Sequence, residues 1–369
     1  MVRKTIFWAH LSVAVIICVP VLLLTVTGAM LAFDNQIREI GYSSNYSIIP
    51  ETQNLPISKL INETQFDKQP KSIVLYSNKT DAVRFTFGHG MFLFVDPYTG
   101  EILGDHMIAS TNFMNSIFLL HGSLIPMFSM ETRVTGQSVV GAINLAALLL
   151  LVSGLYLWVP KIFQWRFIKR NLFFRKEVLK NSKKRDYNWH LVLGIWSSIP
   201  LVVILLTATI MEYDWVIDVK DSITDVIIGE EISKKVITLN PDEYKNRGLV
   251  KQEIEKALVA VKEYAPNWNT IAIKLPLIDV LPTMFTIDEG NGRQPQKRTE
   301  IKINQYTNEI IDIKPFSRKS KSAQNLFLRF LHTGEVFGWW SQVIAFLTTI
   351  SCLVIIWCGL ALAYRRLIK

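Results

Sequence analysis

Cysteine is scarce in this 369-residue chain: Cys18, Cys352 and Cys358 are the whole complement, and all three lie inside apolar runs, where they read as small packing residues. The polar stretches contain none, which excludes a disulfide framework there. No C-x-x-C or C-x-x-C-H occurs, so covalent c-type haem attachment is excluded. No G-x-G-x-x-G follows a strand pattern, so no nicotinamide or flavin domain is evident. Charge is missing from four long stretches, Ile6–Phe33, Val134–Val159, Trp189–Met211 and Trp340–Tyr364; the third reaches an acid, Glu212, only at its far end.

What is present is apolar. Half of the residues are hydrophobic and mean hydropathy is positive despite a formal charge of +9. Each charge-free stretch is long enough to cross about 30 Å of hydrocarbon at about 1.5 Å per residue. The first is too long for a signal-peptide core and has an internal copy, so it reads as a retained span. The pI of about 9.3 does not point to nucleic acid, because the basic residues crowd beside the spans. Between Lys161 and Asp186 stand ten basic residues and two acids; Arg3, Lys4, Arg365, Arg366 and Lys369 flank the termini. By the positive-inside rule these regions and both termini are expected in the cytoplasm of a bacterial inner membrane, with the two long polar segments on the periplasmic side.

The chain repeats itself. A shift of 180 residues lays the first span on the third, with His10 on His190, Pro20 on Pro200, Thr27 on Thr207 and Asp34 on Asp214. A shift of 208 lays Val95–Ile102 on Ile303–Ile310, each reading as strand, tight turn, strand. A Leu-His pair follows each polar segment, Leu120-His121 and Leu331-His332, and a shift of 205 lays Gln137 on Gln342 and Gly154 on Gly359. The expected unit is helix, lobe, Leu-His segment, helix, occurring twice about an axis along the membrane normal. Each lobe reads as α+β. The first has a helix near Pro56–Phe66 and strands near Ser72–Tyr76, Ala82–Phe87 and Met91–Asp96. The second has a helix over Leu249–Tyr264 and strands near Thr270–Leu275, Met284–Asp288 and Thr299–Asn304.

Four of the six histidines occupy repeat-equivalent places. His10 and His190 lie near the cytoplasmic ends of their spans, and His121 and His332 near the outer end of the bundle. Two imidazoles facing each other across a bundle axis are what bis-His haem ligation requires, so two b-type haems are expected, one on each pair. Zinc ordinarily takes three or four protein ligands, and each face offers two histidines with no nearby cysteine; copper stays open. Arg133 and Arg329 lie near the outer histidines and are candidates to pair with haem propionates. His89 and His106 have no repeat partner and read as exposed loop residues. Pro20 and Pro200 either kink their helices to admit a flat macrocycle or are simply tolerated within the membrane. Trp339 and Trp340 read as interfacial belt residues.

With these residues in hand, the chain resembles the PepSY-associated transmembrane family. The likeness rests on Trp8-x-His10 with Thr25–Ala29; Leu120-His121-Gly122; Gly154–Trp158 followed by Pro160-Lys161; Trp189–Trp196; Leu331–Gly338; and the turns at Asp96–Gly104 and Asn304–Ile311. Ala208-Thr209 departs from the Thr-Gly that the family often shows there and that Thr27-Gly28 retains. The resemblance implies a four-helix transmembrane bundle with two PepSY-like α+β periplasmic lobes and an internal duplication. Expected boundaries are 1–33, first helix; 34–111, first lobe; 112–133, Leu-His segment; 134–160, second helix; 161–187, basic loop; 188–212, third helix; 213–323, second lobe; 324–339, Leu-His segment; 340–364, fourth helix; and 365–369, tail. It further implies a dihaem oxidoreductase that reduces a ferric siderophore, of hydroxamate type, outside the cytoplasmic membrane. The electron donor, a quinol or a soluble cytoplasmic reductase, and the substrate-contacting catalytic residues are left unassigned. An iron-complex permease component and a non-catalytic binding or regulatory protein are the competing readings.

Overall fold

The computed structural model describes residues 1–368 except 52, 65, 89, 125–129, 161–163, 214–253, 276–281, 305–306 and 317–320. Its helices are α1 (Val2–Leu31), α2 (Asp34–Tyr46), α3 (Ile57–Glu63), α4 (Ala109–Ser123), α5 (Met130–Trp158), α6 (Trp165–Leu172), α7 (Ser182–Glu212), α8 (Ile254–Tyr264), α9 (Lys321–Thr333) and α10 (Trp339–Leu367). The strands are β1 (Ser72–Tyr76), β2 (Val83–Gly88), β3 (Met91–Val95), β4 (Ile102–Asp105), β5 (Thr270–Lys274), β6 (Thr283–Asp288), β7 (Arg298–Ile303) and β8 (Ile310–Pro315). The chain divides into two compact units: a bundle of residues 1–34, 113–228 and 325–369, and a sheet unit of residues 35–112 and 229–324.

In the bundle, α1, α5, α7 and α10 are long and apolar enough to cross a membrane. In hydrocarbon every backbone polar group must be satisfied internally, and an unbroken helix does this alone. Their outward faces carry large bare apolar side chains such as Ile16, Val19, Leu149, Val152, Ile199 and Trp357, which suit lipid and not water. The four pack in a ring, α1 beside α5, α5 beside α7, α7 beside α10 and α10 beside α1. This leaves α1 and α7 on the diagonal. Both helices run on through Pro20 and Pro200. α7 begins seven residues before the expected Trp189, inside the charged run, because the Asn181 side chain accepts a hydrogen bond from the Lys184 amide at 3.0 Å and caps it.

Asp186 explains how that charged run is held. It is 1% exposed and accepts from Arg185 (2.8 Å) and Arg365 (2.7 Å), fastening the start of α7 to the end of α10. At the other end of the bundle the Gln342 amide donates to the Ala32 carbonyl, tying α10 to α1. The three cysteines are free and lie at buried or half-buried positions in the bundle.

The strands of both polar segments form one antiparallel sheet, ordered β4-β3-β2-β1-β5-β6-β7-β8. Two lobes are expected from the sequence; in the structure they share a sheet, joined at β1–β5 with Ile73 opposite Ile273. Residues alternate in the manner a half-buried sheet requires. One face buries Ile73, Phe85, Val95, Ile271, Ile273, Phe285, Ile301 and Ile303 beneath α3 and α8. Each such large side chain contributes about 1.5–3 kcal/mol when fully buried. The Glu255 carboxylate on α8 accepts from the Ser58 amide (3.0 Å) and hydroxyl (2.6 Å), joining the two covering helices.

On the opposite face α2, which the sequence does not announce, sets Tyr42 and Tyr46 against Phe92 and Phe94. Gly41 lets α2 pass close to the start of α4, where a Cβ would collide with the Ser110 side chain. The two turns that repeat at a shift of 208 are built alike. Asp96 and Asn304 each accept from amides two or three residues on, and Gly100 and Asn308 each take positive φ, 78° and 58°. The expected helix Leu249–Tyr264 is present from Ile254; its first five residues lie outside the described ones.

Candidate functional site

All four repeat-related histidines belong to the bundle, and each makes its ring contact with a neighbouring helix. His10 on α1 faces α5: its Nδ1 lies 2.9 Å from the Ser153 hydroxyl, with the Leu150 carbonyl also accepting from the ring. His190 on α7 faces α10, with Nδ1 3.1 Å from the Ile355 carbonyl. His121 on α4 faces α1, with Nδ1 2.9 Å from the Thr27 hydroxyl and the Leu24 carbonyl as a second acceptor. His332 on α9 faces α7, with Nδ1 2.9 Å from the Ile204 carbonyl and 3.2 Å from the Thr207 hydroxyl. The acceptors obey the sequence repeat: Leu24 and Ile204 are 180 residues apart, Leu150 and Ile355 are 205 apart.

These contacts fix the tautomer. A carbonyl only accepts, so the proton sits on Nδ1 in each ring. The hydroxyls agree, because Ser153 donates to Leu149, Thr27 to Leu23 and Thr207 to Val203, each on its own helix. That leaves their oxygens to accept from imidazole. In all four histidines Nε2 therefore carries the lone pair, the state of a histidine that ligates through Nε2 while its other nitrogen is anchored.

Glycine makes room for three of the rings. A Cβ on Gly28 would meet His121 Cε1 at 3.2 Å, one on Gly154 would meet His10 Cε1 at 3.3 Å, and one on Gly359 would meet His190 Cε1 at 3.4 Å. Glycine within a helix costs about 0.5–1 kcal/mol relative to alanine, so these positions accept a helical penalty where an imidazole presses close. The position equivalent to Gly28 in the second half is Ala208.

The two outer rings come together. The centroids of His121 and His332 are 6.3 Å apart, with their planes inclined at 55°. A metal–imidazole bond of about 2 Å plus a ring radius of roughly 1.2 Å, taken on both sides of one metal atom, gives roughly 6.4 Å. His10 and His190 stand on the diagonal helices α1 and α7. Among the described residues, no group of three or more His, Cys, Asp or Glu is placed to hold a bare metal ion. Two imidazoles are by contrast a full axial set for an iron whose other four ligands come from a porphyrin. The donor set therefore fits haem. The two levels stand well apart: Thr27 follows His10 by seventeen residues, and Thr207 follows His190 by the same number, about 25 Å at 1.5 Å per residue.

The family model for the PepSY-associated TM region matches residues 7–366, nearly the whole chain. The chain belongs to the PepSY-associated transmembrane family. No curated protein matches it.

In this PepSY-associated protein the remaining candidates fall as follows. Arg329 is exposed and sets its guanidinium 5.2 Å from the Phe118 ring, bridging α9 to α4. Arg133 lies in α5, but its side chain falls outside the described residues, as does His89. His106, expected on an exposed loop, is half-buried with its ring 4.9 Å from that of Phe92. Trp339 and Trp340 pack edge to face and stay largely bare, as belt residues do. A buried acid, Glu335, three residues after His332, accepts from the Thr333 hydroxyl at 2.7 Å in the turn leading to α10. Gly334 makes that turn at φ 80°, where a Cβ would stand 2.6 Å from the Ser341 carbonyl oxygen.

Sequence reasoning missed Ser153 and the four carbonyls as histidine anchors. Thr27 and Thr207 were visible in the repeat and Gly28 in the Thr25–Ala29 motif, so a signal existed for those three. For the carbonyls there is none, since every residue has one.

Proposed function

We propose that this protein is a haem-carrying reductase of the bacterial inner membrane that passes electrons outward to a ferric siderophore, releasing Fe(II) on the periplasmic side. The observation that carries the reading is the outer pair: His121 and His332, 6.3 Å apart, each with Nδ1 anchored and Nε2 free to ligate. His10 and His190 would form the inner pair. Haem at these positions supplies one-electron chemistry, cycling between ferric and ferrous iron. The chain's own part is to hold the rings. Thr27, Thr207 and Ser153 accept from Nδ1, while Gly28, Gly154 and Gly359 admit the imidazoles. The apolar helix faces keep water from the interior.

The reaction balances as one electron, taken from a quinol or a reduced cytoplasmic protein and given to Fe(III) in a hydroxamate cage. Fe(II) suits hard oxygen donors poorly and leaves. The repeated spacing of histidines and their acceptors supports an internal duplication. The basic run Lys161–Asp186 supports a cytoplasmic α5–α7 loop and periplasmic sheet unit.

The test is spectroscopic and then kinetic. Full-length protein purified from haem-replete cells should show the split visible bands of low-spin haem on dithionite reduction, with two haems per chain. His121→Ala and His332→Ala should each leave one haem and abolish reduction of ferric hydroxamate. A colourless protein, or undiminished reduction by His121→Ala, sinks the proposal.

A further inference from the structure

The loop between α5 and α7 holds a helix that the histidine chemistry does not use. α6, Trp165–Leu172, has two unlike sides. Asn171 is buried and donates to the Trp158 carbonyl at 3.2 Å, and the Leu172 carbonyl accepts from the Trp196 indole at 2.9 Å. Trp196 sits two turns into the apolar part of α7 and is 64% exposed, so it faces lipid. These bonds hold α6 at the level where the bundle enters hydrocarbon.

The other side of α6 is bare. Trp165, Arg166, Lys169 and Arg170 are all exposed, and the chain continues into exposed Phe173 and Phe174. Among the described residues none of the three cations forms an ion pair. The Arg175 Nε, just beyond, is buried with no hydrogen-bond partner among the described residues. Aromatic rings and cations sharing an exposed surface at membrane level suit an interface of acyl chains beneath anionic headgroups. A soluble acidic partner would meet the charges but leave Trp165, Phe173 and Phe174 against water.

We propose that α6 and the Phe173–Arg175 segment form a site for an anionic phospholipid, with Arg166, Lys169 and Arg170 on the headgroup phosphate and Trp165, Phe173 and Phe174 among the upper acyl carbons. Each cation near an anionic surface contributes about fivefold in affinity. The site is independent of haem and would hold if the reductase reading failed.

Full-length protein, stripped of lipid in mild detergent, is titrated with phosphatidylglycerol or phosphatidylcholine, and bound lipids are counted by native mass spectrometry. Wild type should bind phosphatidylglycerol at least about tenfold more tightly, and the triple variant R166Q/K169Q/R170Q should lose that preference. The double variant K183Q/K184Q, which removes exposed charge from the nearby first turn of α7, should keep it. Trp165→Ala alone should weaken phosphatidylglycerol binding with all charges in place, which keeps the test open if the triple variant does not fold. Equal binding of the two lipids by wild type, retention of the preference by a folded triple variant, or equal loss in the Lys183/Lys184 control would overturn the site. So would capture of a soluble acidic protein through these residues without any lipid preference.

Discussion

Thr27 on α1 meets His121 on α4 at 2.9 Å, and Thr207 on α7 meets His332 on α9 at 3.2 Å, so the two halves of the bundle grip their outer imidazoles in the same way. A hydrogen bond taken from Nδ1–H makes the opposite nitrogen a stronger donor to iron and favours the ferric state. On the proposed reading, Thr27→Val weakens this by about 1 kcal/mol while the Leu24 carbonyl keeps the tautomer. The outer haem should stay bound and its midpoint potential should rise. Redox titration of Thr27→Val and Thr207→Val checks this; unchanged potentials in both would show that the hydroxyls only position the rings.

Gly154→Ala places a methyl 3.3 Å from His10 Cε1, in a helix that cannot yield without disturbing its backbone. The His10 ring must give by a few tenths of an ångström, straining its bond to Ser153. On the proposed reading haem content should fall from two per chain toward one, with the outer haem's spectrum unchanged. Pyridine haemochrome assay of the purified variant reads this directly.

Asp186→Asn leaves two guanidinium groups without their carboxylate at a site that is 1% exposed. Breaking a buried pair by removing one partner costs about 3–5 kcal/mol, and the lower end applies because Arg185 and Arg365 are 36% and 26% exposed. The detergent-solubilised variant should unfold several degrees lower. An unchanged midpoint would mean that α7 and α10 do not depend on this fastening.

The sheet unit has its own acid-sensitive contact. Burial raises the Glu255 pKa, but hydrogen bonds from the Ser58 hydroxyl and amide and from its own amide more than offset this and hold the carboxyl below its ordinary 4.5. A depressed folded-state pKa gives stability that is present above 4.5 and is lost as pH falls through the folded value. Protection of the Ser58 amide, taken relative to its intrinsic exchange rate at each pH, should therefore fall below about pH 4.5. In Glu255→Gln protection should be lower at neutral pH and should not fall further in acid. Hydrogen exchange with peptide readout over Ile57–Glu63 decides the matter.

The long apolar stretches made the four spanning helices legible, because hydrocarbon leaves the backbone few alternatives. The histidines were legible as pairs because the repeat marked them. The joining of both lobes into one sheet was not. The β1–β5 contact links segments about 200 residues apart, and alternation tells a strand which side is buried, not which strand it pairs with. Helix α2 was missed because Asp34–Tyr46 is polar on average and carries Gly41; packing of Tyr42 and Tyr46 on the sheet holds it. α6 escaped notice because eight residues rich in cations read as loop. The sequence also could not say which histidine nitrogen is free, since that depends on carbonyls supplied by other helices.

The diagonal helices each serve both ends of the bundle. α1 presents His10 near one end and the Leu24–Thr27 socket for His121 near the other; α7 does the same with His190 and the Ile204–Thr207 socket for His332. Neither rod can slide or twist at one end without shifting an imidazole or its socket at the other. The two levels are thus built on the same two rods, about 25 Å apart along each.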